Sequence, residues 1–432
     1  MIFERLFKLQ AAGTTVKTEI LAGVTTFMTM AYILAVNPSI LGMTGMDKSA
    51  LFTATALGAV IGTLFMALLA NLPFALAPGM GLNAFFTFTV VLGMGNTWQF
   101  ALTAVFLEGL LFILLTLTNI RELIVNSIPM TLKHAVAAGI GLFIAFIGLQ
   151  NSGIVVKNDA VLVGLGSLSE PKALVTLIGI VITGILLVRN VKGSLLIGIF
   201  VATLIGIPFG VTQLPSGSLM SLPPSIEPIF LKFEWDKIFT FDMLIVVFTF
   251  LFVDLFDGIG TLVGVCSKAN MMTPEGNIPN VKKALLSDAL AATAGAALGT
   301  STVCAYVESA SGVAEGGRTG MTSLTVAGLF LLSLFFAPLF LMIPAAATAP
   351  ILFIVGLFMM SPILKIDLND FTEALPAFFT IIMMPLTYSI AEGIVFGMIS
   401  FVIFKFFAGK TKEITWMMLL LAILFILKHV IG

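Results

Sequence analysis

The sequence predicts an all-α polytopic membrane protein with about fourteen transmembrane spans. Of its 432 residues, 59% are hydrophobic and 10% are charged, whereas a soluble domain carries about 25% charged residues. Apolar runs long enough to cross about 30 Å of hydrocarbon recur along the chain. They begin near Ile20, Ser49, Leu76, Phe100, Leu132, Ala173, Ser194, Met243, Ala284, Ala305, Leu324, Ala345, Thr372 and Ala391. A last run, 416–431, is compatible with a further span or an interfacial helix.

The distribution of positive charges predicts the orientation. Most lysines and arginines fall in loops on one side when the N-terminus is placed in the cytoplasm, as the positive-inside rule requires. The first apolar run lacks the short hydrophobic region and small-residue cleavage site of a signal peptide, so we expect it to be retained. We therefore expect a multi-pass protein of the cell membrane with a cytoplasmic N-terminus.

Composition also limits the chemistry. The formal net charge is −1, which gives no reason to expect a nucleic-acid partner. The chain has two cysteines, Cys266 and Cys304, and two histidines, His134 and His429, which cannot form a metal-ligand cluster. We expect no metal and no cofactor, and we interpret both cysteines as small core residues.

The middle of the chain separates two similar halves. The Pro/Ser-rich stretch 216–242 follows seven apolar runs and precedes seven more. An odd number of crossings inverts the second half relative to the first, an arrangement common among transporters. A shift of 225 residues aligns Asn83 with Glu308 and Thr29 with Asp254. The sequence thus predicts a seven-plus-seven inverted repeat.

Two stretches predict short β-strands at the membrane midplane, in spans three and ten. In FALAPGMGLNAFF, Pro78 disfavours helix before it, so a half-helix is expected to start near Gly81. In TSTVCAYVESASG, β-branched residues favour an extended segment before Glu308 begins a second half-helix. Paired strands would aim both helix N-termini at one cavity. The alternative is that each stretch is a continuous, glycine-bent helix.

Two acids in FVDLFDGIGTLVG predict a proton site. Asp254 and Asp257 are three residues apart and therefore lie on one face of a helix. Two carboxylates so close in a low dielectric cannot easily both ionise. The alternative is that both aspartates cap broken helix ends or bond to neighbouring backbone.

Other polar residues in the apolar runs have simpler interpretations. The hydroxyl of Thr29, in the first span, can bond to a carbonyl of the preceding turn. The acids Glu108, Asp288 and Glu392 lie outside the polar clusters, so we interpret them as groups that bond between helices.

The predicted cluster of acids favours a substrate with N–H donors. Glu308 and the two aspartates accept hydrogen bonds when ionised, and Asn83 both donates and accepts. Without a lysine or arginine beside it, such a site repels anions. One carboxylate can accept two parallel N–H bonds from a guanine-like edge, much as proteins read bases in DNA. Aromatic side chains that are candidates for stacking on the ring are Phe85, Phe86, Phe252 and Tyr306.

The chain closely resembles a known family in five runs: TTFMTMAYILAVNP, APGMGLNAFF, FTFLFVDLFDGIGTLVGV, GTSTVCAYVESASGVAEGGRTG and MMPLTYSIAEGI. These are similar to the hypoxanthine/guanine/adenine permeases, the purine branch of the nucleobase/ascorbate transporters. The resemblance extends from about Thr14 to beyond Lys412. It implies proton-coupled purine uptake, most strongly of guanine or hypoxanthine, through core and gate domains that work as an elevator. Such transporters frequently form homodimers.

By the pattern of that family, Asp254 of VDLFD and Glu308 of YVES would contact the base, with Asn83 of GLNAFF nearby. Gly258 departs from the pattern, where a bulkier, hydroxyl-bearing residue is expected. The full set of expected substrate-binding residues is Glu308, Asp254, Asn83, Thr29, Phe252 and Ser309, and the expected proton-coupling residues are Asp254, Asp257 and Glu308.

The same resemblance implies the domain boundaries. The core would comprise 1–120 and 243–343, and the gate 121–215 and 344–412. The connection 216–242 would be extracellular, and 413–432 would be a separate hydrophobic segment.

Three other classes of protein remain open at this point. An intramembrane aspartyl protease also needs two membrane aspartates, but it carries them on two facing helices, and its second aspartate follows a GxG tripeptide. Here both aspartates lie on one helix, and Gly258 and Gly260 come after Asp257. A passive channel would suit broken helices and polar midplane residues. A carrier of adenine, another nucleobase such as uracil, or a dicarboxylate would use the same architecture.

Overall fold

The computed structural model describes residues 2–118, 129–215, 217–268, 271, 280–416, 418–419, 422–423 and 426. Most of the run 416–431 therefore lies outside the described residues, as does the side chain of Asp257. The described chain is mainly helical. Its helices are α1 (Ile2–Phe7), α2 (Val16–Met30), α3 (Ile33–Leu41), α4 (Lys48–Phe65), α5 (Met80–Ala84), α6 (Trp98–Leu117), α7 (Met130–Asn151), α8 (Pro171–Val188), α9 (Ser194–Gly206), α10 (Phe241–Lys268), α11 (Val281–Leu298), α12 (Ser309–Ala314), α13 (Gly320–Ser333), α14 (Ala337–Leu341), α15 (Ala345–Met360), α16 (Phe371–Thr387) and α17 (Ile390–Phe407).

Four short strands and several tight turns complete the described structure. The strands are β1 (Leu76–Pro78), β2 (Val155–Asn158), β3 (Leu162–Leu165) and β4 (Val303–Ala305). Strands β2 and β3 form a hairpin between α7 and α8. Short π-helical segments, Met66–Ala70 and Phe85–Gly93, continue α4 and α5.

The helices fit the fourteen predicted spans. Eight helical segments among the described residues are long and apolar enough to cross a membrane. Three further apolar helices are shorter: Met80–Gly93, Ser194–Gly206 and Phe371–Thr387. Helices α10 and α11, together with the strand-and-helix segment β4–α12, account for the remaining runs. The prediction of an all-α polytopic membrane protein is confirmed.

The contacts between helices repeat with two-fold symmetry across the halves α2–α9 and α10–α17. Three contacts join equivalent elements: α4 with α11, α7 with α15, and β1 with β4. Several others occur in matched couples, such as α2–α13 with α10–α6, α4–α13 with α11–α6, and α7–α16 with α15–α8. Since each half contributes seven spans, the second half is inverted, and the predicted seven-plus-seven repeat is confirmed.

Glycine permits close packing between α7 and α15. A Cβ on Gly141 would lie 2.5 Å from the carbonyl oxygen of Gly356, and a Cβ on Gly356 would lie 2.4 Å from that of Gly141. Small residues that let two backbones approach are typical of membrane helix interfaces, where dispersion contacts drive association. The two glycines therefore set the separation of this symmetric pair.

The connection between the halves is tied to the start of α6. The hydroxyl of Thr97 donates to the carboxylate of Glu234, and Lys237 pairs with the same carboxylate at 2.9 Å. The hydroxyl of Thr103 accepts the backbone N–H of Glu234 at 2.8 Å. The Thr97 hydroxyl, followed by Lys237, lowers the pKa of Glu234. This tie is therefore present at neutral pH and weakens when acidification passes below that lowered pKa.

Gly141→Ala is expected to destabilise the protein by roughly 1–3 kcal/mol, because the added methyl group overlaps backbone that cannot move aside freely. Thermal unfolding in detergent measures the effect. The matched control is Gly184→Ala in α8, where a Cβ would meet nothing within 4 Å. Equal unfolding temperatures for both variants would contradict the close contact of α7 and α15.

Candidate functional site

Strands β1 and β4 pair with each other in the middle of the fold, as the sequence predicts. They run antiparallel, with Leu76 opposite Ala305 and Pro78 opposite Val303, and all residues of both strands are buried. Backbone at membrane depth is tolerated only where protein satisfies its hydrogen bonds. The pairing satisfies one edge of each strand.

Side chains satisfy the outer edges. The hydroxyl of Thr63 accepts the N–H of Leu76 at 2.9 Å and donates to its carbonyl at 3.1 Å. On the other strand, Oδ1 of Asp288 accepts the N–H of Ala305 at 3.1 Å. Asp288 thus bonds between segments, as predicted for this isolated acid.

Each strand leads directly into a half-helix. Gly79 precedes the helix that begins at Met80, and Glu308 is the N-cap residue of α12. Both starting points agree with the sequence prediction. Helix N-termini carry free N–H groups and partial positive charge. The two positions aligned by the 225-residue shift are not equivalent, because Glu308 caps its helix whereas Asn83 lies inside its own.

The carboxylate of Glu308 is bound by a residue that sequence reasoning missed. The hydroxyl of Tyr32 donates to Oε1 of Glu308 at 2.7 Å. Tyr32 is 1% exposed and lies at the break between α2 and α3, whereas Glu308 is half-buried. The available signal was that Tyr32 is one of only three tyrosines and stands in an apolar run.

Three consecutive hydroxyl residues before β4, 300–302, connect this segment to three spans. Asn37 donates to Thr300 at 2.9 Å, Ser301 donates to Oδ1 of Asn83, and Thr302 donates to Glu108 at 3.2 Å. All of these side chains are fully buried. Glu108 therefore bonds between helices as predicted, while Asn37 was missed because an amide in a span carries no distinctive pattern.

Asn83 keeps its amide NH2 group available as a donor. Its Oδ1 is occupied by Ser301, but Nδ2 makes no hydrogen bond with any described residue and is buried. A buried amide N–H without a partner is costly. An acceptor on a bound ligand would satisfy it.

Two other predicted binding residues make scaffold contacts. The hydroxyl of Thr29 donates to the carbonyl of Thr26 at 2.8 Å and lies 2.9 Å from Oγ of Ser311. Ser309 accepts the backbone N–H of Ala75 at 3.0 Å. Both hydroxyls position the half-helix α12, and their contact with a substrate stays a prediction.

Helix α10 carries the remaining predicted residues. It packs against α5, β4 and α12, and Asp254 within it is fully buried. The ring of Phe252 lies 5.6 Å from that of Phe248 and borders a narrow gap of about 10 Å³ beside Ala391 and Ile394 of α17. Because the side chain of Asp257 lies outside the described residues, its predicted role stays a prediction.

Sequence reasoning also missed a buried acid, Glu19, which lies at the end of the site. Glu19 is fully buried and accepts the N–H of Arg318 at 2.9 Å and the hydroxyl of Thr322 at 2.6 Å. It thereby satisfies donors at the N-terminus of α13. The guanidinium of Arg318 donates to the carbonyl of Val313 at 2.7 Å. Both residues fix the far end of α12.

The chain resembles known transporters in sequence and in fold. It matches the model of the permease family Xan_ur_permease over residues 17–411. It is 46% identical to the guanine/hypoxanthine permease PbuG of Bacillus subtilis, covering 98% of both proteins. It is 43% identical to the adenine permease AdeP of Escherichia coli, covering 99% of this chain and 96% of the relative.

The fold has a counterpart among solved structures. The transmembrane domain of a cyanobacterium bicarbonate transporter, BicA, superposes with a TM-score of 0.65 at 20% identity, covering 87% of this chain and 97% of that domain. This likeness shows the fold, whereas the family match and the relatives PbuG and AdeP, which are permeases, show that the chain is a membrane transporter and not an enzyme. The chain belongs to the Xan_ur_permease family, whose close relatives here are nucleobase permeases. This finding removes the intramembrane protease.

Thr63→Val is expected to lower the free energy of unfolding by roughly 2–3 kcal/mol, because it leaves the buried N–H and carbonyl of Leu76 without partners. Thr63→Ser, which keeps the hydroxyl, is the matched control and should cost less. Thermal unfolding of both variants in detergent measures the difference. Two equally stable variants would show that the edge of β1 does not depend on this hydroxyl.

Proposed function

We propose that the protein takes up purine nucleobases, guanine and hypoxanthine first, by proton symport across the cell membrane. One observation carries the proposal: the carboxylate of Glu308 and the unpartnered amide donor of Asn83 are placed by two half-helices that begin at one strand pair. An acceptor and a donor held in this way suit a flat ring that has N–H groups and a carbonyl. PbuG and AdeP support the purine class.

Guanine fits this donor and acceptor set better than adenine does. Guanine presents two parallel N–H donors, at N1 and N2, to an ionised carboxylate, and its carbonyl is an acceptor for an amide N–H. Adenine presents an acceptor at N1, which an ionised carboxylate repels. Adenine is the alternative substrate, and through its N1 and N6 edge it would require a protonated Glu308.

Proton coupling follows from the acids. A proton carried by Asp254 and Asp257 would accompany the neutral base and leave on the cytoplasmic side, while an ionised Glu308 receives guanine; a proton on Glu308 itself would accompany adenine instead. Loss of that proton would weaken binding and release the base, since ligand affinity and protonation are linked whenever the loaded and empty states bind protons differently.

The proposed motion is an elevator movement of the core, 1–120 and 243–343, against the gate, 121–215 and 344–412. In support, α7, α8, α9, α15, α16 and α17 pack mainly on one another. An ion pair crosses between the two groups: Nζ of Lys192 lies 2.7 Å from Oε1 of Glu315. With a cytoplasmic N-terminus this pair is cytoplasmic. A homodimer is compatible with this motion.

Uptake of radiolabelled guanine into proteoliposomes tests the function. We expect an inward proton gradient to drive accumulation. Glu308→Gln should reduce it by roughly 10–100-fold because it loses a charge-assisted hydrogen bond, and Asp254→Asn should reduce it by roughly as much because an amide cannot carry the proton. Glu227→Gln, on an exposed loop residue, is the matched control and should transport normally.

Three results would change the proposal. Accumulation driven by sodium instead of protons would replace the coupling ion. Uptake without any dependence on a gradient would favour a passive channel. Stronger competition by unlabelled adenine than by unlabelled hypoxanthine would make adenine the preferred purine.

Cross-linking tests the elevator. A short bis-methanethiosulfonate that joins Lys192→Cys to Glu315→Cys through two disulfides, releasing sulfinate at each end, should abolish uptake, since it would tie core to gate, and reduction of the disulfides should restore it. The matched control joins Asp370→Cys to Lys410→Cys, which replaces an ion pair of 2.5 Å within the gate and should leave uptake intact. Full uptake by the cross-linked first pair would rule out sliding at this interface.

A further inference from the structure

The phenol of Tyr32 makes a direct contact with the acid proposed to receive the base. Its hydroxyl donates to Oε1 of Glu308 at 2.7 Å, and the tyrosine side chain is buried. Hydrogen bonds from a hydroxyl to an ionised carboxylate are short and roughly twice as strong as neutral ones. The contact therefore fixes the direction of the Glu308 carboxylate.

A second contact keeps the two elements in register. Thr29 precedes Tyr32 by three residues and lies 2.9 Å from Ser311, which follows Glu308 by three. Residues three apart share one helix face. A Cβ on Gly312 would lie 2.5 Å from a carbonyl oxygen of α2, so α12 lies directly on the first span. The tyrosine and the acid are thus held together by packing as well as by their own hydrogen bond.

The hydroxyl of Tyr32 can respond to the protonation state of its partner. A phenol donates to an ionised carboxylate and can accept from a carboxylic acid. A donor to the ionised form favours that form. The ionised form is also the one that accepts N–H groups from a base.

We propose that Tyr32 is a positioning residue that aims the Glu308 carboxylate and sets the pH range in which it binds substrate. The inference rests on the proposed function. It adds Tyr32, a residue of the first span, to the residues that control substrate binding at Glu308.

Other titratable groups surround α12, and their places differ. Helix α10, which packs on α12, carries Asp254 and Asp257. Glu315, with its partner Lys192, and Arg318 follow the C-terminal end of α12. Tyr32 is at the opposite, N-terminal end, in direct hydrogen bond with Glu308. Removal of its hydroxyl therefore acts on Glu308 first.

Equilibrium binding of radiolabelled guanine to the purified protein, measured over a series of pH values, tests the inference. In Tyr32→Phe, which removes only the hydroxyl, the midpoint of the pH dependence of guanine affinity should move to higher pH by about one unit. The expected size follows from the loss of one hydrogen bond to a charged group. The unfolding temperature should fall little, because the ring remains.

Two control variants distinguish a role of Tyr32 in aiming the Glu308 carboxylate from a role in stabilising the fold alone. Tyr388→Phe removes another phenol hydroxyl, which donates to Oε1 of Gln150 at 2.5 Å, and should leave the midpoint unchanged. Thr176→Val removes a buried hydroxyl that donates to the carbonyl of Ala346 at 2.8 Å, away from α12, and should lower the unfolding temperature without moving the midpoint. A midpoint in Tyr32→Phe equal to that of the wild type, or an equal shift in Thr176→Val, would overturn the inference alone. Absence of guanine binding by the wild type would overturn the proposed function and this inference with it.

Discussion

The pairing of β1 with β4 is the interaction on which the rest of the structure depends. Three residues from each half meet where no water is available to satisfy their backbone. The strand ladder, Thr63 and Asp288 supply the missing partners. Because the strands end where they do, two helices can begin in the middle of the fold, each directly after its own strand. Continuous helices would leave Asn83 and Glu308 on separate elements without a common origin.

The inverted repeat brings the two strands together, and the two halves place different side chains beside them. Equivalent segments of the two halves meet across the symmetry axis, as α4 does with α11. Around the strands, the first half supplies the hydroxyl of Thr63 and the amide of Asn83, and the second half supplies the carboxylates of Asp288 and Glu308. The symmetric scaffold thus carries different side chains at its centre. This suits guanine, which has N–H donors at N1 and N2 and an acceptor at its carbonyl.

Local signals in the sequence account for the features that were predicted correctly. Pro78 and the β-branched run before Glu308 act within a few residues, so the strands and the half-helix starts could be inferred. The contacts of Tyr32 and Glu19 could not, because their partners lie far along the chain and depend on how α12 and α13 rest on the first span. The alignment of the halves by 225 residues also placed Asn83 opposite Glu308. In the structure Asn83 lies inside its helix, whereas Glu308 is the N-cap residue of its own.

A structure of the protein with guanine bound tests the central claim most directly. The account predicts the base between the two half-helices, with its N1 and N2 groups at the carboxylate of Glu308 and its carbonyl at Nδ2 of Asn83. Guanine bound elsewhere, without contact to Glu308 or Asn83, would contradict it. One such place is the cavity of about 490 Å³ that Tyr388 and Glu392 help to line.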